Sequence, residues 1–286
     1  MSHILDGRTL ALKMKEVLKG EVEQLIALYK HTPSIVSMTV GDEAAAAMYV
    51  NAQKRMAEYL GIRYTLKNFS PTVSQDEILY YINQLNSDPN VTGVMIQTPL
   101  PKQMNHQVLV DAIDPHKDIE GVSVVNMGKL VFSSSTIVPC TAASALHLIK
   151  SSGLNLRGKE AVIVGRSEIV GKPLSFLLLQ ENATVTICHS GTSEAGKLVD
   201  HLKRADIVVG AVGKPNFIQG HWIKEGAVVI DVGINDVNGK IVGDVEFESA
   251  AQRAAFITPV PGGVGPVTVL MLMKNCCEAF KLQWGK

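Results

Sequence analysis

The stretch from Ala161 to Leu179, AVIVGRSEIVGKPLSFLLL, constrains the fold of this chain more than any other. Four apolar residues, Ala161 to Val164, run into Gly165-Arg166-Ser167. A second glycine follows at Gly171, and Pro173 opens the apolar run Leu174, Phe176 to Leu179. An apolar run, a glycine turn and a helix with proline near its first turn are the parts of a strand–turn–helix unit. Such a unit aims the free N–H groups of a helix start above the strand, where an anionic phosphate is favoured. The spacing is G-x-S-x-x-x-G rather than G-x-G-x-x-G. Taken alone, the turn therefore fits either a phosphate site or an ordinary βα connection.

The strands beyond this turn favour the phosphate site. Ala183 to His189, Ala205 to Val212, Gly226 to Val232 and Phe256 to Val260 are further strand segments, and each runs into glycine or small polar residues. Thr192 is placed to cap a helix over Ser193 to Arg204. Five such strands match a dinucleotide-binding sheet whose ligand lies across the strand tips. An NAD site usually carries Asp or Glu at the tip of the second strand, to hold the ribose 2′-hydroxyl. Here the tip reads Cys188-His189-Ser190-Gly191-Thr192, without an acid, while Arg166 offers a guanidinium to a 2′-phosphate. This combination favours NADP over NAD.

The first half alternates in the same way. Leu10 to Tyr29 has helical apolar spacing, Ser34 to Val40 is β-rich, and Ala44 to Leu60 reads as a helix closed by Gly61. Ile62 to Phe69 is a second strand. Ser74 and Glu77 form a capping box before the helix Ile78 to Leu85. Val91 to Gln97 is a third strand, followed by a helix over His106 to Ile113. Pro139 to Lys150 resumes a helix. Alternating strands and helices imply a mostly parallel three-layer α/β domain with its ligand beyond the carboxyl ends of the strands. Gln97, Asp118 and Glu120 are the polar residues just past those ends. Tyr49 and Gln53, at i and i+4, share one helix face.

Composition sets the outer limits. The chain of 286 residues is long enough for two domains, and 46% hydrophobic content provides two cores. Equal numbers of acidic and basic residues, 27 of each, give no reason to expect nucleic acid or an anionic membrane as partner. No apolar run is long enough to span a bilayer, and Lys274 and Glu278 interrupt the apolar helix Val267 to Phe280. The first residues lack the layout of a signal peptide, and a cytoplasmic protein is the expectation. Cys140, Cys188, Cys276 and Cys277 lack metal-ligand spacing, so reduced thiols and no metal are expected.

Together these motifs resemble the bifunctional methylenetetrahydrofolate dehydrogenase/methenyltetrahydrofolate cyclohydrolase family along nearly the whole chain. They are GRSEIVGKP (165–173), ADIVVGAVGKP (205–215), GAVVIDVGIN (226–235), GDVEF (243–247) and TPVPGGVGP (258–266) in the second half. In the first half they are VGD (40–42), YVNAQKR (49–55), QTPLP (97–101), KDIEG (117–121) and PCT (139–141). The resemblance implies two three-layer α/β domains with the active site in the cleft between them. Residues 1–139 with 268–286 would form a folate-binding catalytic domain, and 140–267 a Rossmann-like NADP-binding domain. It also implies a homodimer.

Carried over by position, the resemblance implies cofactor contacts at Gly165, Arg166, Ser167, Ile169, His189, Ser190, Val212, Gly213, Gly233, Ile234 and Thr268. Tyr49 matches the tyrosine that stacks on the pterin and Gln97 the glutamine beside the reacting centre. Asp118, Glu120, Pro261, Gly262 and Gly263 join them as substrate contacts, with Tyr49, Gln53, Gln97 and Glu120 as the catalytic set.

The departures from the family pattern lie on the folate side. The family expects lysine four residues after the tyrosine, where this chain has Gln53. The neighbouring Lys54 is rotated about 100° away on a helix. Glu120 stands for an aspartate, Thr98 for a leucine, Ala142-Ala143-Ser144 alters PCTPxG, and Glu43-Ala44-Ala45-Ala46 replaces DPAS. Glutamine has no titratable proton. The expected activity is therefore NADP-dependent oxidation of 5,10-methylenetetrahydrofolate, with cyclohydrolase activity weak or lost. Two other readings stay open: a related oxidoreductase acting on a different pterin or C–N compound, and a catalytically silent NADP-binding protein.

Overall fold

The computed structural model describes residues 2–41 and 44–285, without the side chains of Ala44 to Ala46. Asp42 of the VGD motif and the Glu43 to Ala46 departure thus lie outside the described side chains. The chain divides into two compact units: residues 13–138 with 269–286 form the first, and residues 1–12 with 139–268 the second.

The first unit takes most of α1 (Gly7–Tyr29), then β2 (Ser34–Val40), α2 (Ala44–Leu60), β3 (Arg63–Phe69), α3 (Gln75–Ser87), β4 (Gly93–Ile96), α4 (His106–Asp111) and α5 (Val124–Val131). The three strands form a parallel sheet in the order β3-β2-β4. Central β2 is buried along its length, as a parallel strand covered on both faces must be. Ile78 and Ile82 of α3 pack with Met38 and Ile96 in one core cluster. The Ser74 capping box forms as expected, with Glu77 N–H donating to Ser74 Oγ at 3.2 Å and Ser74 N–H to Glu77 Oε2 at 2.9 Å. Helix α5, capped by Ser123, was not expected from sequence; its eight residues are too few to show a helical period.

The second unit contains α6 (Cys140–Ser151), β5 (Glu160–Val164), α7 (Gly171–Gln180), β6 (Thr184–Cys188), α8 (Ser190–Glu194), α9 (Leu198–Arg204), β7 (Ile207–Gly210), β8 (Val228–Asp231), the hairpin β9 (Asn235–Val237) and β10 (Lys240–Val242), α10 (Phe247–Ala251), β11 (Phe256–Ile257) and the start of α11 (Val264–Trp284). Its sheet is parallel in the order β1-β11-β8-β7-β5-β6, where β1 is His3–Ile4. The five expected strands are all present.

Residues 1–12 differ from the expected partition, because His3 and Ile4 pair with Phe256 and Ile257 and so add a sixth strand to the nucleotide sheet. A two-residue strand leaves no readable alternation. The expected helix over Ser193 to Arg204 is a second correction. His189, not Thr192, is the N-cap of α8, and Thr192 completes that cap by accepting the His189 N–H at 3.2 Å. Gly196, with φ of 69°, separates α8 from α9.

Candidate functional site

Strand order fixes where the second unit can hold a ligand. The chain leaves β5 for β6 on one side and returns to β7 on the other, so the switch point lies between the β5 and β7 tips. A cavity of about 380 Å³ opens there. Of the expected cofactor residues, it brings together Gly165, Arg166, His189, Ser190 and Val212.

The turn that forms its floor is built by close approach. Gly165 has φ of 131°, and a Cβ there would stand 2.1 Å from the Ala211 carbonyl oxygen. A Cβ at Gly171 would stand 2.2 Å from the Gly165 carbonyl oxygen. Any larger residue would push α7 off the strand tip. Helix α7 also has no side-chain cap, which suits a helix start whose N–H groups meet an anion. The glycine cradle and the exposed Arg166 beside Ser190 fit a phosphorylated dinucleotide.

Other expected contacts do not line this cavity. Ile169 and Ile234 are exposed at neighbouring loops. Gly213 follows Val212 at the rim, Ser167 sits inside the turn, and its carbonyl accepts the Lys172 N–H at 3.0 Å. Gly233 is buried against Asp244. Thr268 lies within α11, and its hydroxyl donates to the Val264 carbonyl at 3.1 Å. Pro261, Gly262 and Gly263 form the turn between β11 and α11, and Gly262 takes φ of 115°. Lys214, Phe217, Ser193 and Glu194 line the cavity and were missed. For Lys214 the signal existed, since it closes the strand-tip motif ADIVVGAVGKP.

Two buried aspartates stand behind this wall. The Asp244 carboxylate accepts N–H groups of Val212, Gly213 and Lys214 at 2.5, 3.0 and 2.9 Å, and Asn235 Nδ2 at 2.9 Å. Asp231 accepts from the N–H groups of Gly233, Asp244 and Val245. Burial pushes the Asp231 pKa up to about 6, against the lowering effect of those three donors.

In the first unit Gln53 meets Gln97, which lies just past the carboxyl end of β4, against Ser37 in the middle of β2 and Tyr64 near the start of β3. Gln53, on α2, is buried, and its Oε1 accepts from Tyr64 Oη at 2.8 Å and from Gln97 Nε2 at 2.8 Å. Gln97 Nε2 also donates to Ser37 Oγ at 3.0 Å. Tyr64 and Ser37 were not expected here; they come from separate strands with no motif spacing. Lys54 is exposed and lies 4.0 Å from Glu58, so it does not enter the cluster. Tyr49 is about half exposed one turn before Gln53, leaving its ring face available.

Glu120 keeps part of its surface open, yet desolvation, with the Asp118 carboxylate adding to it, pushes its pKa up to about 8. It is therefore chiefly protonated at neutral pH. Burial likewise raises the Tyr64 phenol, and Glu120 contributes to that rise.

Asp118, expected as a substrate contact, is engaged within its own loop. It is almost fully buried, and its oxygens accept from Gly121 N–H at 3.0 Å, Ser123 N–H at 2.8 Å and Asn126 Nδ2 at 3.0 Å. It shapes the loop that presents Glu120. Lys117 is equally committed, donating to the Leu85 and Asp88 carbonyls at the end of α3.

Comparison with known proteins agrees with both halves. Residues 5–120 match the catalytic domain of tetrahydrofolate dehydrogenase/cyclohydrolase, and residues 139–284 match its NAD(P)-binding domain. The chain belongs to this family. The bifunctional protein FolD of Acetivibrio thermocellus is 48% identical over 281 residues, covering 98% of this chain and 97% of that one. The crystal structure of the FolD methylenetetrahydrofolate dehydrogenase/cyclohydrolase of Campylobacter jejuni superposes with a TM-score of 0.94 at 37% identity, covering 99% of each chain. The Trypanosoma brucei enzyme, solved with NADP cofactor and an inhibitor, superposes with a TM-score of 0.92 at 37% identity over 98% of each.

Among the described residues no cluster of His, Cys, Asp or Glu is arranged to hold a metal ion. No helix among them is long and apolar enough to cross a membrane.

Proposed function

We propose that this chain is an NADP-dependent 5,10-methylenetetrahydrofolate dehydrogenase whose cyclohydrolase activity is weak or lost. The observation that carries the reading is the cluster around Gln53. Its position on α2 is where the resemblance expects lysine, and its amide oxygen is held by Tyr64 and Gln97.

Dehydrogenation asks for alignment rather than proton transfer. Loss of hydride from the methylene bridge leaves a resonance-stabilised methenyl cation, so the site must orient the substrate and exclude water. In this reading Tyr49 stacks on the pterin. Gln97, its amide nitrogen spent on Gln53 and Ser37, turns its carbonyl oxygen toward the reacting centre. Neutral Glu120 donates a hydrogen bond to the pterin edge. NADP supplies the hydride acceptor. Arg166 and Ser190 would hold its 2′-phosphate, and the Gly165–Gly171 turn its diphosphate.

Hydrolysis of the methenyl cation asks for more. Water must lose a proton as the ring opens, and a positioned base contributes about 10²- to 10⁴-fold to such steps. The Gln53 amide can hydrogen-bond to water but cannot take up its proton.

NADP is favoured over NAD because β6 ends at Cys188-His189-Ser190 without an acid and Arg166 lines the same cavity. The Trypanosoma brucei relative holding NADP supports this choice. A homodimer in the cytoplasm belongs to the same reading, and light scattering on the purified protein tests the dimer.

The deciding assay measures NADPH formation with methylenetetrahydrofolate, then loss of methenyltetrahydrofolate without cofactor. Dehydrogenase turnover with hydrolysis at least about a hundredfold slower is expected. Equal rates would overturn the cyclohydrolase claim, and no NADPH formation would overturn the dehydrogenase.

A further inference from the structure

We propose that Asp244 is a positioning residue for the dinucleotide site, holding the cavity wall at Val212 to Lys214 from behind while Asp231 holds Asp244. The proposal rests on reading this cavity as the NADP site. Asp244 is fully buried and does not itself face the cavity, so any effect on the ligand passes through the main chain.

Three successive N–H groups, from Val212, Gly213 and Lys214, converge on its two oxygens. Gly213 has φ of 65°, a left-handed conformation that brings the Lys214 N–H to the same carboxylate as its own. Converging main-chain donors of this kind form an anion-binding nest. In this chain the nest is filled by the protein's own carboxylate, so it does not compete with the Gly165–Gly171 turn for the ligand's phosphates. Its filling fixes the main chain that presents Val212 and Lys214 to the cavity.

The link continues along the strand tips. Asp231, at the end of β8, accepts the Asp244 N–H at 2.9 Å, and Thr258 Oγ1 accepts the Asp231 N–H at 2.8 Å. Asn235 Nδ2, donating to Asp244 at 2.9 Å, ties in the start of β9. The same packing requires Gly233, because a Cβ there would sit 2.3 Å from the Asp244 carboxylate. The ends of β7 and β8 are thus linked through two carboxylates, and the Thr258 hydroxyl ties β11 to the main chain of Asp231, on the side of the sheet where ligands bind.

A carboxylate that binds main-chain N–H groups could matter for folding alone, so the test needs a second such carboxylate, partly buried and away from the cavity, as control. Asp206 accepts the Glu160 N–H at 3.0 Å and pairs with Lys224 at 2.6 Å, just before β7 at the opposite end of the sheet. Isothermal titration of NADP⁺ into wild type, Asp244→Asn and Asp206→Asn, with thermal melts of each, separates the roles. In Asp244→Asn an amide N–H₂ replaces one acceptor oxygen and faces main-chain donors. Binding about tenfold weaker is expected, with Asp206→Asn within about twofold of wild type. Binding by Asp244→Asn within twofold of wild type would overturn the proposal, as would an equal loss in Asp206→Asn. Should Asp244→Asn fail to fold, Asn235→Ala removes one of the four donors and is expected to weaken binding about two- to threefold; unchanged binding would count against the proposal equally. A folded wild type that does not bind NADP⁺ refutes the cofactor reading instead.

Discussion

The cavity of the second unit is shaped by main chain, whereas the cluster of the first unit is made of side chains. Gly165, Gly171 and the nest at Val212 to Lys214 define the one by close approach and N–H direction. Gln53, Tyr64, Gln97 and Ser37 define the other by mutual hydrogen bonds among residues of three elements and the loop after β4. A main-chain site tolerates little substitution, because only glycine fits where backbones touch. A side-chain site can change chemistry by exchanging one residue, provided its neighbours can re-pair. Under the proposed function, Gln53 is such an exchange.

The largest test of that contrast is to restore a lysine. Lysine has no acceptor, so Gln53→Lys leaves Tyr64 Oη facing an ammonium, although the Gln97 amide can rotate to accept from it. Gln53→Lys combined with Tyr64→Phe is expected to raise methenyltetrahydrofolate hydrolysis by about a hundredfold, and Gln53→Lys alone by less. If the double variant hydrolyses no faster than wild type, the first unit's chemistry does not turn on this position. On the main-chain side, Arg166→Ala should weaken NADP⁺ binding by about 10- to 100-fold while leaving NAD⁺ binding nearly unchanged, the loss expected for a charge-assisted contact. Equal weakening for both cofactors would remove Arg166 as the selector.

A pH series sharpens the comparison further. The folded-state pKa of Glu120 lies at about 8, above its ordinary 4.5, so the folded protein keeps a proton that the unfolded chain loses. Stability should therefore fall as pH rises from about 4.5 to 8, by up to about 1.4 kcal/mol per pH unit from this group. Glu120→Gln should flatten that slope in urea unfolding curves across the window; an unchanged slope would mean that Glu120 ionises normally. The smallest effect concerns Glu194, an acid on the wall of the dinucleotide cavity. Glu194→Gln is expected to tighten NADP⁺ about two- to threefold at low salt and to lose that gain at high salt. No change at low salt would place its charge too far from the 2′-phosphate to matter.

Much of the fold could be read from the sequence for the same reason that the second unit's site could. Buried parallel strands are near-continuous apolar runs, and β2 fell where the apolar run Ser34 to Val40 placed it. Glycines and strand tips marked the cavity. What escaped were pairings without local periodicity, such as His3–Ile4 on Phe256–Ile257, and the partition of α8 from α9 by Gly196. The loop role of Asp118 was not legible either, because charge beyond a strand end has two outlets, and only the N–H groups of Gly121 and Ser123 reveal that it also holds its own loop. Tyr64 was invisible because its role depends on β3 lying beside β2.

The pairing of β1 with β11 also sets an order of events. Residue 3 is made long before its strand partner, residue 256, and the first unit draws on residues 269–286 as well. Neither unit holds all its parts until residues well past 255 have been made. Such distant contacts slow folding, because a long loop must close before its pairing contributes. A chain stopped at residue 255 would present β8 as an unpaired apolar edge, the kind of surface that recruits other strands. Nascent chains of this protein should accordingly need shielding until residues 256–286 have emerged.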